Sequence, residues 1–276
     1  MTFKSCKKLL LILSVTLFFT CILLFCLVLF TGSSLTVGHY IQADNSEHLI
    51  ADKTAPTVMH SKHDFVFRGL TSGDKILAVH GPTHTSYPGS TGVYFCIKLS
   101  DGEISEVPAK ILLELYDLGW IGKDKSNFPY ELKKASYQDK LASMTLTLLD
   151  TWDYEYVTTN SIEEPYGIAF WPKDASEGHI ELLCYPGGYQ TKCGTGLQTT
   201  ETELNGFEAV ISYYDPTEAW SKGYYSKLET WSDIHFTGLY SSYAFHNIDT
   251  ESWTQQQLDE LTYILNKVDF PYAIMQ

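Results

Sequence analysis

The chain has 276 residues, of which 44% are hydrophobic and 19% are charged, and its formal net charge at pH 7 is −14. This length allows one large domain or two small ones, each with a buried core. The negative charge argues against binding to nucleic acid or to anionic lipid head groups, because both repel a negative surface.

The first predicted element is a transmembrane helix at residues 9–31, because residues 9–30 carry no charge and are rich in Leu, Phe, Ile and Val. A helix needs about 20 apolar residues to cross a bilayer. Lys4, Lys7 and Lys8 precede the stretch, and the next Lys or Arg is Lys53. The positive-inside rule then predicts a cytoplasmic tail at residues 1–8 and a single-pass protein of the cell membrane with an extracytoplasmic C-terminal domain. A cleavable signal peptide is the alternative.

Residues 32–60 are predicted to form a flexible stalk, since they are polar and lack an apolar period. A small α+β subdomain is expected at residues 61–140, with short strands near 65–67, 76–79 and 93–97. Pro108 suits the first turn of a helix, and Gly119 suits the left-handed residue that ends one. The sequence therefore predicts a helix between these two positions.

Residues 141–276 are predicted to form an antiparallel sheet with a C-terminal helix packed on it. Apolar and polar residues alternate in several segments, for example around Ile180 and Leu182, as in a sheet with one solvated face. Thr254 and Gln257 form a capping-box pattern ahead of an apolar stripe over about 254–268. The expected fold class is α+β: an N-terminal transmembrane helix, then an antiparallel β-sheet covered by the C-terminal helix.

Part of this second region resembles a known kind of protein. The residues concerned lie within about 145–270 and are Trp152-Asp-Tyr, Gly167-Ile-Ala-Phe, Cys193-Gly-Thr-Gly-Leu, Leu204-Asn-Gly-Phe, Tyr214-Asp and Trp231. The region resembles uncharacterised exported domains of bacterial membrane-anchored proteins and, more loosely, the extracytoplasmic domains of anti-sigma-factor-like regulators. The resemblance transfers no functional residue, and the short N-terminal tail lacks the sigma-binding part of such regulators.

No motif in the chain predicts catalysis with any specificity. Six of the nine histidines fall between residues 39 and 84, and the pairs His60/His63 and His80/His84 are candidate metal ligands. Histidines scattered at strand ends and turns would give the same pattern, and a zincin-type His-Glu-x-x-His is absent. Cys193 lies in a Gly-rich turn, but no His partner for a thiolate nucleophile is recognisable. We therefore expect no catalytic residue, no metal site and no cofactor.

Aromatic residues near the end of the predicted sheet are the candidate binding residues. Such residues stack on sugars and form protein interfaces, although tyrosines also fill the solvated face and rim of ordinary sheets. The candidates are Tyr213, Trp220, Tyr224, Tyr225 and Trp231.

One disulfide is predicted, between Cys184 and Cys193. Cys184 ends an apolar strand, and Tyr185-Pro-Gly-Gly supplies a turn that returns the chain towards Cys193. Cys96 would remain a free thiol. The alternative is that all three cysteines stay reduced, as in a compartment that oxidises poorly.

These patterns favour a membrane-anchored extracytoplasmic domain that binds or senses something at the cell envelope without catalysis. The expected partners are the membrane, through the N-terminal span, and an envelope protein or a glycan ligand, but not nucleic acid. The alternative function is a metal- or thiol-dependent cell-envelope hydrolase.

Overall fold

We describe a computed structural model of the chain. It describes residue 20 and residues 32–139, 142–159, 164–189, 197–214, 231–239 and 241–271. The chain divides into two compact units, Met1–Pro129 (unit 1) and Tyr130–Gln276 (unit 2). Each unit has its own architecture.

A closed five-stranded barrel forms most of unit 1. Its strands are β1 (Ser34–Gln42), β2 (His48–Ala51), β3 (Pro56–His60), β4 (Lys75–His80) and β5 (Gly89–Ser100), in the order β1-β2-β3-β5-β4. Strands β3 and β5 are parallel and the other neighbours are antiparallel. A five-stranded Greek-key barrel is the general architecture of OB folds.

The barrel interior is apolar. Buried residues from all five strands meet there, together with the 3₁₀ helix Asp64–Phe67; they include Tyr40, Ile50, Met59, Phe67, Ile76, Ala78 and Val93. Burial of apolar surface at about 25 cal/mol per Å² is the main force that holds such a closed layer together.

The predicted flexible stalk at residues 32–60 is wrong, because β1, β2 and β3 occupy most of it. In the first half of β1 the apolar residues, Leu35 and Val37, are the exposed ones, while Thr36 and Gly38 face the other side. The segment therefore lacks the usual pattern of a strand with its apolar residues buried. The predicted boundaries also differ: the stalk and the 61–140 subdomain belong to one unit, which ends at Pro129 rather than at residue 140.

The helix α1 (Ala109–Asp117) confirms the helix predicted after Pro108. Its buried residues are Ala109, Ile111, Leu112, Leu113 and Leu115. Gly119 has φ +73°, and the N–H groups of Gly119 and Trp120 donate to the carbonyls of Tyr116 and Leu115. This pair of hydrogen bonds is a Schellman motif, which ends the helix where the glycine was expected to end it.

Two antiparallel sheets form unit 2. The small sheet pairs β6 (Leu132–Gln138) with β7 (Ser143–Leu149). The large sheet contains β8 (Trp152–Val157), β9 (Tyr166–Pro172), β10 (His179–Tyr185), β11 (Leu197–Leu204), β12 (Phe207–Tyr214), β13 (Trp231–Phe236) and β14 (Ser242–Ile248), in the order β11-β12-β13-β14-β10-β9-β8. The antiparallel pairing predicted from the alternating segments is therefore present.

The C-terminal helix α2 (Gln255–Leu265) begins with the predicted capping box. Thr254 Oγ1 accepts the Gln257 N–H, and Gln257 Oε1 accepts the Thr254 N–H at 2.7 Å. Leu261 and Ile264 are fully buried. The helix contacts β7 of the small sheet.

The predicted α+β fold class is wrong. The described chain is mostly β-structure, with a barrel that the sequence patterns did not predict and only two α-helices among the described residues.

The predicted transmembrane helix is also corrected. No helix in the described ranges is long and apolar enough to cross a membrane; α1 has 9 residues and α2 has 11, against about 20 for a span. Residues 1–8 and the predicted span at 9–31 lie outside the described residues, apart from Thr20. The described structure therefore does not support the predicted single-pass topology or the predicted cell-membrane localisation.

Candidate functional site

The structure describes only two of the five predicted aromatic binding residues. Trp220, Tyr224 and Tyr225 lie outside the described residues. Trp231 is buried in β13, and Tyr213 is half-buried in β12, where its hydroxyl donates to Gln198 at 3.1 Å. An aromatic binding patch thus stays a prediction.

The described cysteines are free thiols. Cys184 is fully buried in β10, and Cys96 is half-buried in β5. Burial raises the pKa of each thiol to about 11, which keeps both protonated at neutral pH. Cys184 is described as a free thiol, but Cys193 lies outside the described residues, so the predicted Cys184–Cys193 disulfide is not tested and stays a prediction.

The candidate metal ligands do not converge. His80 is buried, with Thr36 Oγ1 at 2.8 Å from Nε2 and the Gly81 carbonyl oxygen at 2.7 Å from Nδ1. Across the described part of the chain, no group of three or more His, Cys, Asp or Glu side chains is placed to hold a metal ion. His60, His63 and His84 are therefore not part of such a group.

A cleft of about 530 Å³ in unit 1 is the candidate site. The turn between β1 and β2, the loop before β4 and the segment after α1 form its walls. Among its lining residues are Asp44, Leu70, Ser72, Lys123, Asp124 and Asn127. Pockets for small molecules enclose about 300–1,000 Å³, so the cleft has the size of a ligand site.

Hydrogen bonds tie the three walls together. Ser72 Oγ accepts the Gln42 N–H at 3.0 Å and donates to Asn127 Oδ1 at 2.6 Å. The Asp44 N–H donates to the Trp120 carbonyl at 2.8 Å, immediately after the Schellman cap of α1. The capped helix end therefore fixes one wall against the β1–β2 turn, and Ser72 links that turn to Asn127.

Two carboxylates are held in place at the cleft. Asp44 Oδ2 accepts the Lys123 N–H at 2.9 Å, and Asp124 Oδ1 accepts the Ser126 N–H at 2.9 Å. The hydrogen bond from the Ser126 N–H lowers the pKa of Asp124. Each carboxylate has a second oxygen, and each oxygen has two lone pairs, so both retain acceptor capacity for a ligand.

Asn127 supplies a donor to the cleft. Its side chain is buried, with 8% of the residue exposed, and Ser72 occupies its Oδ1 atom. Within the described ranges, its Nδ2 group has no hydrogen-bond partner. The Nδ2 atom is not one of the buried unpartnered atoms of the described residues, so it is open to solvent at the cleft and can donate to a ligand.

A buried polar layer in unit 2 is the second unusual cluster. Asp233 is fully buried and accepts hydrogen bonds from Tyr189 at 2.7 Å and from Ser232 at 2.9 Å. Tyr185 is hydrogen-bonded to His246, which lies opposite Asp233 on the neighbouring strand. Burial raises the pKa of Tyr185 to about 12. These contacts satisfy Asp233 from within the protein, which is typical of a structural layer.

Sequence reasoning missed the cleft. Its main groups lie in three distant segments, and Ser72 and Asn127 are 55 positions apart. The Asp124–Ser126 pattern is a common turn motif, so it predicts a loop and not a site. Only the barrel and the helix cap bring these groups together.

The comparisons with known proteins do not assign a family. No family model, curated protein or solved structure matches the chain. The resemblance to exported bacterial domains and anti-sigma-factor-like regulators accordingly remains an expectation from the sequence.

Proposed function

We propose that this protein is a non-catalytic binding domain whose ligand site is the cleft of unit 1. One observation carries the proposal: a cleft of ligand size is lined by Asn127, a largely buried residue whose side-chain NH₂ group is open to the cleft and has no protein partner in the described part of the chain. A small polar ligand that accepts this hydrogen bond would satisfy it.

The chemistry of the lining favours binding over catalysis. The lining residues include the hydroxyls of Ser46, Thr71 and Ser72, but no His or Cys, so the cleft has no imidazole base and no thiol nucleophile. Its two carboxylates, Asp44 and Asp124, accept hydrogen bonds from backbone N–H groups. The alternative hydrolase receives no support from the described thiols, because the raised pKa of Cys96 and of Cys184 disfavours the nucleophilic thiolate.

The proposal is tested by two-dimensional NMR of the full chain. Maltotriose, an N-acetylglucosamine trimer, spermidine and a set of neutral L-amino acids are added separately. At least one compound should shift the backbone amide signals of Ala43, Thr71 and Ser126, which line the cleft.

A variant of the unpaired amide provides the control. Asn127→Ala should abolish those shifts, while Asn266→Ala, a change at an exposed asparagine in unit 2, should leave them unchanged. Shifts that map away from the cleft, or none with any compound, would overturn the proposal.

A further inference from the structure

We infer that the ligand of the cleft is a zwitterion, a free α-amino acid, whose ammonium group is bound by Asp44 and Asp124 and whose carboxylate is bound by Lys123 and Asn127. The inference rests on the proposed function and names its ligand class. It follows from the charges that line the cleft and from the hydrogen bonds that these groups leave unused.

The two carboxylates of the cleft, Asp44 and Asp124, can bind an ammonium group. Asp44 and Asp124 each use one oxygen to accept a backbone N–H, which holds the carboxylate in one orientation. Asp124 also accepts a hydrogen bond from the Ser126 side chain, and each carboxylate keeps lone pairs for further donors. An ammonium group has three donors, so it can satisfy both carboxylates with charge-assisted hydrogen bonds.

Lys123 and Asn127 can bind a carboxylate. Lys123 lines the cleft in the segment after α1, and in the part of the chain described here its ammonium group forms no ion pair with Asp44 or Asp124. Asn127 Nδ2 adds a neutral donor without a partner. A ligand carboxylate can accept from both, and its charge makes the hydrogen bond from Asn127 stronger than one to a neutral acceptor.

Other ligand classes fit these charges less well. The lining residues contain no aromatic ring on which a sugar could stack. A polyamine would face Lys123 with a like charge, and a dicarboxylate would face Asp44 and Asp124 in the same way. Leu70 and Ala43 provide apolar surface beside the charged groups, which suits an amino acid with a small or aliphatic side chain.

The test compares matched ligands on the full chain by isothermal titration calorimetry. Glycine, L-alanine, L-serine, L-leucine and L-glutamine are the first probes, and we expect at least one to bind. L-leucine is then compared with 3-methylbutylamine, which lacks its carboxylate, and with 4-methylpentanoate, which lacks its ammonium group; glycine, alanine, serine or glutamine is compared with its own two analogues if it binds instead. Each analogue should bind at least about tenfold more weakly, the effect of losing about 1.4 kcal/mol.

Charge-removing variants test the carboxylates and the lysine separately. Asp44→Asn and Asp124→Asn keep an oxygen for the backbone N–H but remove the negative charge, so both should weaken amino-acid binding. Lys123→Met should weaken it as well, and Lys123→Arg should restore it. Thermal unfolding of each variant shows whether the protein still folds.

The outcomes separate this inference from the proposed function. If a sugar or spermidine shifts the cleft signals and no amino acid does, the zwitterion inference is wrong while the binding function stands. If an amino acid and its amine analogue bind equally, the inference is also wrong. If nothing binds at the cleft, both proposals fail.

Discussion

Glu260 is a carboxylate buried in unit 2, with only 2% of its surface exposed. It accepts hydrogen bonds from the Tyr130 and Thr151 hydroxyls at 3.0 Å, from Trp152 Nε1 at 2.7 Å and from Gln256 Nε2 at 3.2 Å. All four partners donate, so the two carboxylate oxygens satisfy a complete set of donors. The residue thereby links α2 to the segments around β6 and β8.

We expect Glu260→Gln to lower the free energy of unfolding by about 1–3 kcal/mol, because the amide NH₂ group then faces donors that it cannot satisfy. The matched control is Glu251→Gln, at an exposed position just before α2. It should change the stability by less than about 0.5 kcal/mol. Urea unfolding measures both variants, and equal effects would show that the donors around Glu260 contribute nothing.

Asp74 is a buried carboxylate of unit 1 whose contribution to the stability of the fold depends on pH. Burial alone raises its pKa, but hydrogen bonds from Lys98 and Thr71 outweigh burial and hold the pKa below its ordinary value. Lys98 Nζ lies 2.7 Å from Oδ2, and the Thr71 N–H donates to the same oxygen at 2.8 Å. The ionised form therefore stabilises the folded state at pH values above the pKa of the unfolded chain, about 4, and this contribution is lost as the pH falls through the folded pKa.

Asp74→Asn should accordingly destabilise the protein at pH 7, by about 1–3 kcal/mol for lost hydrogen bonds to a buried charge. The difference from the wild type should narrow as the pH is lowered below about 4. Asp101→Asn is the control, since Asp101 contacts the same lysine but is 96% exposed. Thermal unfolding over a pH series tests this; a difference that is constant with pH would contradict the assignment.

At the scale of elements, β1 is where sequence and structure differ most, and hydrogen exchange tests it directly. β1 pairs with β2 on one side and β4 on the other, so its amides should exchange slowly. The exposed turn at residues 52–55 should exchange fast in the same protein and serves as the control. Mass spectrometry of peptides from the exchanged chain measures both. Exchange in β1 as fast as in the turn would instead support the flexible stalk.

Some elements were predictable because local chemistry fixes them. Pro108 and Gly119 mark the two ends of α1, and Thr254 with Gln257 marks the start of α2. The barrel was not predictable in this way, because β3 pairs in parallel with β5 and the pairing depends on residues far apart in the chain. The cleft depends on that barrel and was missed with it. Alternation predicted several strands of unit 2, but not β6, β7, β11 or β14. It also did not predict that Asp233 in β13 is fully buried.

For the whole molecule, architecture and charge point to different partners. Greek-key barrels of the OB type bind oligonucleotides and oligosaccharides. Phe65 and Tyr94 of unit 1 are 69% and 57% exposed, and such rings can stack on bases. Single-strand binding also needs a positively charged groove, however, and the chain carries a net charge of −14. Phosphate contacts supply most of the affinity of non-specific binding. Because the chain has a net negative charge, we expect it not to bind nucleic acid.

The corresponding experiment is a fluorescence anisotropy titration of labelled oligothymidine, about 15 nucleotides long, with the full chain. At about 50 mM salt, where electrostatic attraction is least screened, the anisotropy should not rise. Phe65→Ala and Tyr94→Ala variants should behave like the wild type, since no stacking takes place. A rise that disappears with added salt would show phosphate contacts on a locally basic surface. Loss of that rise in either variant would place a nucleic-acid site on the five-stranded barrel despite the net charge of the chain.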